Sequence, residues 1–136
     1  MKIDREKFLI EEIKVVQDII KRMASNSFSI KTWTVTLVVA TLLFKGNNQT
    51  LTLIGFIPLF AFWFLDAYYF QQERLFREVY LWIISYRLEN DDELFNMNPT
   101  RFKDKVETLF NIMFSISILP FYLSIFTILV LFYCFI

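Results

Sequence analysis

From Thr108 to Ile136 the chain reads TLFNIMFSISILPFYLSIFTILVLFYCFI, 29 residues without one charged side chain. A helical crossing of a bilayer needs about 20 predominantly apolar residues, so this stretch predicts a membrane-spanning helix. A second uncharged run, Gly46 to Leu65, lies between Lys45 and Asp66 and meets the same requirement. Upstream, Thr32 to Phe44 is also uncharged but covers only roughly 20 Å at 1.5 Å per residue, short of a ~30 Å hydrocarbon core. It becomes a span from about Ser27 to Phe44 if Phe28 and Ile30 extend it and Lys31 snorkels its ammonium to the headgroups. The intervening Lys45-Gly46-Asn47-Asn48-Gln49 suits a tight turn between antiparallel helices.

Composition agrees with lipid as the solvent. In a chain of 136 residues, 56% are hydrophobic and 19% aromatic, more than a small domain can hide from water. The 14 basic and 14 acidic side chains cancel, leaving no electrostatic footprint for nucleic acid, and no nucleic acid contact is expected. Met1 to Met23 carries alternating charges where a signal peptide needs an uninterrupted apolar region, so no cleaved segment is expected.

Basic residues set the expected orientation. Seven precede the first span (Lys2, Arg5, Lys7, Lys14, Lys21, Arg22, Lys31), six lie between the second and third (Arg74, Arg77, Arg87, Arg101, Lys103, Lys105), and Lys45 alone occupies the hairpin turn. Both basic segments then face the cytoplasm. The expectation is a multi-pass protein of the inner membrane with its N-terminus cytoplasmic and its C-terminus outside.

Two cytoplasmic elements complete the expected architecture. Leu9, Ile13, Val16, Ile20 and Met23 recur at spacings of four and three, the seam of an amphipathic or coiled-coil-like helix and a candidate oligomerisation surface. Ser25-Asn26-Ser27 offers a break and a cap before the first span. After the second span, Gln72, Leu75, Phe76, Val79, Ile83 and Tyr86 continue at helical period, predicting one long helix that projects from the membrane. Asn90-Asp91-Asp92-Glu93 ends it, Asn98-Pro99 caps a new helix, and Phe102, Val106, Leu109, Phe110 and Met113 are expected to lead straight into the third span. The expected fold class is an all-α integral membrane protein with three transmembrane helices. It divides into an amphipathic N-terminal helix (1–26), a transmembrane hairpin (27–70), a cytoplasmic helical segment (71–107) and a third transmembrane helix (108–136).

Little here points to catalysis. There is no His, Cys134 has no partner, and Gly46 and Gly55 are the sole glycines, so zinc, nucleophile and phosphate-loop constellations are missing. Asp91-Asp92-Glu93 lacks the spacing of a calcium loop and reads as a solvated helix-ending turn. No enzyme, metal or cofactor is expected.

Lys31 and Asp66 sit at nearly equal distances from the hairpin turn, one on each antiparallel helix, and should meet at the inner membrane edge. Such a pair either anchors the hairpin or marks a functional pathway. Trp33, Trp63, Tyr68 and Tyr69 suit the headgroup interface at the same level. One turn further, Glu73 and Arg77 have the spacing for an intrahelical pair; with Asn26, Tyr69 and Arg74 they form a candidate partner or gating cluster. Thr32, Thr36 and Ala40 in the first span, and Ser117, Ser124 and Thr127 in the third, offer faces for helix packing or for a pore shared by several copies.

Two stretches carry a resemblance: RMASNSFSIKTW at Arg22 to Trp33, and FWFLDAYYF at Phe62 to Phe70, followed by QERLFREVY at Gln72 to Tyr80. Together they resemble a family of small bacterial membrane proteins, some linked to anti-phage defence modules. The resemblance implies a membrane effector that acts with a cytosolic sensor and depolarises the cell's own membrane, with Asn26, Ser27, Lys31, Trp33, Asp66, Tyr69, Glu73, Arg74 and Arg77 as the motif residues. Two readings therefore stand: a homo-oligomeric effector triggered by a cytosolic partner protein, and a non-conducting membrane anchor that recruits such a partner through Tyr68 to Lys105.

Overall fold

The computed structural model describes residues 4–136, and residues 1–3 of the expected N-terminal helix lie outside the described residues. Among the described residues all regular structure is helical, about 80% of the chain, with no strand. Four α-helices, α1 (Arg5–Phe44), α2 (Phe56–Tyr86), α3 (Leu109–Met113) and α4 (Leu119–Phe135), are joined by two 3-10 segments, Gln49–Gly55 and Pro99–Lys105.

The carboxylate of Asp4 accepts from the Lys7 amide to cap α1, and Glu6 complements the helix dipole in the first turn. The helix then runs 40 residues, about 60 Å at 1.5 Å per residue, without the break expected at Ser25-Asn26-Ser27. Serine stops a helix when its hydroxyl competes for local backbone, and here the Ser27 hydroxyl is engaged by Asp66 on the neighbouring helix instead. The division at 26/27 is therefore a change of surroundings within one rod.

Gly46, at φ +54°, takes the left-handed conformation that lets the chain reverse. Asn48 caps the following 3-10 segment by accepting from the Thr50 amide at 3.0 Å. The regular part of the second apolar segment accordingly begins at Phe56, and Gly55 marks a close approach: a Cβ there would sit 2.9 Å from Leu129 Cδ2. From Phe56 the helix continues to Tyr86, matching the expected single long helix. Of its predicted face, Leu75, Val79 and Ile83 are buried, Gln72 and Phe76 half-buried, and Tyr86 exposed.

The third apolar segment departs most from expectation. Asn98 and Pro99 start a helix as predicted, but it is a 3-10 segment, and Val106 is extended at φ −117°, ψ 142°. The chain does not lead straight onward: α3 is five residues, a turn follows, and α4 restarts with Pro120 in its first turn. The Met113 carbonyl left free at the end of α3 accepts from Trp63 Nε1 at 2.9 Å. Residues 108–136 are thus a short helix and a 17-residue helix, not one continuous helix.

Helices α1 and α2 pack antiparallel along their lengths, and two cores result. One joins Val38, Leu59 and Ala67 to Ile112, Ile118, Tyr122, Ile125 and Leu129 of α3, α4 and the turn between them. The other joins Val16 to Leu75, Val79, Ile83 and Phe102. In this second core Leu9, Ile13 and Ile20 pack against α2 of the same chain, and Met23 is half-buried, so the seam expected to join copies is occupied internally.

Around the first core the surface is apolar. Arg5–Phe44 and Gln49–Tyr86 are each long and apolar enough to cross a membrane, and only 22% and 28% of their apolar windows are buried by the rest of the chain. Within these helices Phe44 is 85% and Ile57 69% exposed, so their apolar faces are not hidden in a core of this chain. α4 is a shorter apolar helix.

Candidate functional site

The carboxylate of Asp66 is fully buried where α1, α2 and α4 meet. One oxygen, Oδ1, accepts from the Ser27 hydroxyl. The other lies 2.5 Å from Lys31 Nζ and accepts from the Tyr122 hydroxyl at 3.0 Å. Lys31 also donates to Ser27 Oγ at 3.0 Å and keeps about a quarter of its side chain exposed. Ser27 and Lys31 reach the same carboxylate because i and i+4 share a helix face. Burying a carboxylate in a poorly polar medium without such partners costs several kcal/mol. The sequence-predicted pair is therefore formed, and it gains two members, Ser27 as a ligand and Tyr122, that spacing from the turn did not assign.

A second buried ion pair lies near the other end of the same two helices. Arg87, the residue that closes α2, and Glu12 on α1 are both fully buried and meet fork to fork, Nε to Oε2 at 2.5 Å and Nη2 to Oε1 at 2.9 Å. The remaining guanidinium hydrogens go to the carbonyls of Asn90, Asp92 and Glu93, so all five donors are used. Glu12 in turn accepts from the Phe95 amide at 2.7 Å. These bonds fix a loop in which Glu93 and Phe95 both adopt φ of 55°, an unfavourable conformation for residues with a side chain. Arg101 pairs with Glu93 and lies 4.5 Å over the Trp82 ring. Burial, and then the neighbouring Arg87 charge, hold the Arg101 guanidinium below its ordinary pKa, while Glu12 opposes the shift.

Sequence reasoning missed this centre, yet a signal was present. The buried face of α2 steps by four through Leu75, Val79 and Ile83, and the next step is Arg87. On α1, Glu12 falls on the apolar seam beside Leu9, Ile13 and Val16. A charge on each of two facing apolar stripes is the pattern of a buried pair.

The candidate partner cluster is dispersed. Glu73 and Arg77 form the expected i, i+4 pair, with Arg77 Nη2 2.6 Å from Glu73 Oε1. Arg74 reaches Glu107 at 3.4 Å and covers the Phe70 ring at 4.7 Å. Arg77 borders two clefts, one of about 520 Å³ with Gln17, Lys21 and Tyr80, the other of about 270 Å³ with Arg74, Lys105 and Glu107. Asn26 and Tyr69 are half-buried and line neither.

The polar faces are also placed. Thr32, Thr36, Ser124 and Thr127 are exposed, and each hydroxyl donates to the carbonyl four residues back in its own helix. Ser117 is exposed in the turn before α4, and Ala40 borders a groove between α1 and the start of α2. No protein-family model, curated protein or solved structure matches the chain.

Proposed function

We propose that this chain is a membrane effector of the kind used in bacterial anti-phage defence, one that depolarises the inner membrane when a cytosolic partner engages its polar end. On this reading α1, α2 and α4 cross the bilayer, the Glu12–Arg87 end projects into the cytoplasm, and the chain has no catalytic role. The distribution of basic residues supports that orientation.

The observation that carries the reading is the single carboxylate of Asp66, buried among three apolar helices and bonded to two of them. A passive anchor needs apolar surface and no charge at that depth. A buried ion pair adds little stability over well-packed apolar side chains, and its best-attested use is to set register or to switch between states. Continuous helices connect Asp66 to the Glu12–Arg87 centre, so a partner that moves α1 against α2 at one end acts on the lock at the other. Leu59, Ile112, Tyr122 and Leu129 pack into one core among the described helices, so a conducting state is assigned to several copies. The resemblance of Arg22 to Trp33 and Phe62 to Tyr80 to defence-linked membrane proteins adds support.

The test is ion flux in liposomes holding the purified chain. Native protein is expected to hold a potassium gradient, and Asp66→Ala to dissipate it. A second reading, a non-conducting anchor that recruits a partner, is favoured by the exposed hydroxyls, which bond within their own helices and require no pore water. Tight liposomes for native and variant alike would leave that reading standing.

A further inference from the structure

A groove of about 610 Å³ runs between the end of α1 and the start of α2, within the roughly 300–1,000 Å³ usual for small-molecule sites. Its walls are Phe44, Ile57 and Pro58, and the small side chains of Ala40 and Ala61 provide its width. One charged residue borders it. Lys45 closes α1, is 5% exposed, and is the sole charged residue between Lys31 and Asp66 in the sequence. No described carboxylate lies within 4.0 Å of its ammonium. A lysine that packs its stem along apolar walls and lacks an acidic neighbour is a receptor for an anion that arrives with an apolar body.

We propose that this groove binds an anionic phospholipid, its acyl chain along Ala40, Pro58 and Ala61 and its phosphate on Lys45. The charge complementarity selects an acidic headgroup over a zwitterionic one, and the apolar walls select an amphiphile over a free anion. With the N-terminus inside, the groove faces the outer leaflet. The inference rests on the membrane-spanning part of the reading above and is independent of any leak.

The experiment uses the full chain purified in detergent and equilibrated with an equimolar mixture of phosphatidylglycerol and phosphatidylcholine of identical acyl chains. Retained lipid is read by native mass spectrometry, with helicity and melting temperature measured in parallel. The native chain and Lys45→Arg are expected to favour phosphatidylglycerol about fivefold, the effect of one lysine near an acidic headgroup. Lys45→Gln should abolish the preference, and Ala61→Leu, which fills the groove, should reduce retention of both lipids. Equal retention of the two lipids by the native chain, a preference that survives Lys45→Gln, or retention indifferent to Ala61→Leu would each overturn the site. Displacement by soluble glycerol phosphate would overturn the role of the acyl chain. Carbonate extraction of native membranes tests the spanning reading separately, because lipid retention in detergent does not depend on it.

Discussion

Tyr122 on α4 donates to Asp66 on α2 across 3.0 Å, and Lys31 on α1 approaches the same carboxylate oxygen at 2.5 Å. One atom thereby ties the third apolar helix to the hairpin. Removing Lys31 leaves the fully buried Asp66 without its counterion, so Lys31→Ala is expected to cost about 3–5 kcal/mol; Asp66→Ala leaves Lys31, a quarter exposed, and should cost less, and Tyr122→Phe about 0.6–1.7 kcal/mol. Thermal unfolding in detergent micelles measures these, and a Lys31→Met/Asp66→Leu double variant should be more stable than either single one. Additive losses in the double variant would show that the two groups do not act as a pair.

The second centre predicts a different readout. Arg87→Lys keeps the charge but cannot supply five donors in a planar fork, and Glu12→Ala leaves Arg87 unpaired. Each is expected to destabilise the polar end by about 3–5 kcal/mol and to open the loop between Leu88 and Asn98 to limited proteolysis. Cleavage no faster than in the native chain would show that the loop holds its φ of 55° at Glu93 and Phe95 without the guanidinium.

The continuity of α1 separates two serines that look alike in the sequence. If Ser25 capped a helix, Ser25→Ala would cost about 0.5–2 kcal/mol. In the unbroken helix it is exposed, and the substitution should be neutral or slightly stabilising, whereas Ser27→Ala removes a ligand of Asp66 and should destabilise. Melting temperatures of the two variants decide the matter, and equal losses would contradict the continuous helix.

What was legible in the sequence depended on spacing along single helices or symmetric about one turn. Lys31 and Asp66 could be paired because both are counted from the Lys45–Gln49 turn, and the continuation of α2 to Tyr86 followed from its period, whereas its start at Phe56 in place of Gly46 did not. The interruption before α4 was hidden because Phe114 to Ile118 is as apolar as its flanks, so hydropathy read one span through it; the signals were Ser115, Ser117 and Pro120. Tyr122 joins the lock only because that interruption lets α4 return against α2, and no local pattern encodes it. The N-terminal seam was read correctly as apolar, but periodicity does not say whether a stripe meets another copy or its own chain, and here α2 covers it.

Gly55 offers a steric test of that return. A Cβ there would press on Leu129, which is fully buried, so Gly55→Ala is expected to cost about 1–3 kcal/mol by overpacking. Combined with Leu129→Ala, the loss should be smaller than the sum of the two single losses, because the smaller side chain admits the new methyl. Strict additivity in thermal unfolding would place α4 elsewhere.

Orientation can be read by single-cysteine labelling, since Cys134 is the one natural cysteine. In a Cys134→Ala background, Asn47→Cys should react with an impermeant maleimide on intact cells and Asn90→Cys only after permeabilisation. The reverse pattern would invert the topology.

The central claim, that the Asp66 lock holds a membrane-permeabilising protein shut, is tested most directly by membrane potential in bacteria expressing the chain from an inducible promoter. Cells making the native chain alone should stay polarised, and cells making Asp66→Ala should depolarise, with Tyr122→Phe between them. If Asp66→Ala inserts and folds in amounts equal to the native chain and the membrane stays polarised, the lock does not gate a leak and the effector reading fails.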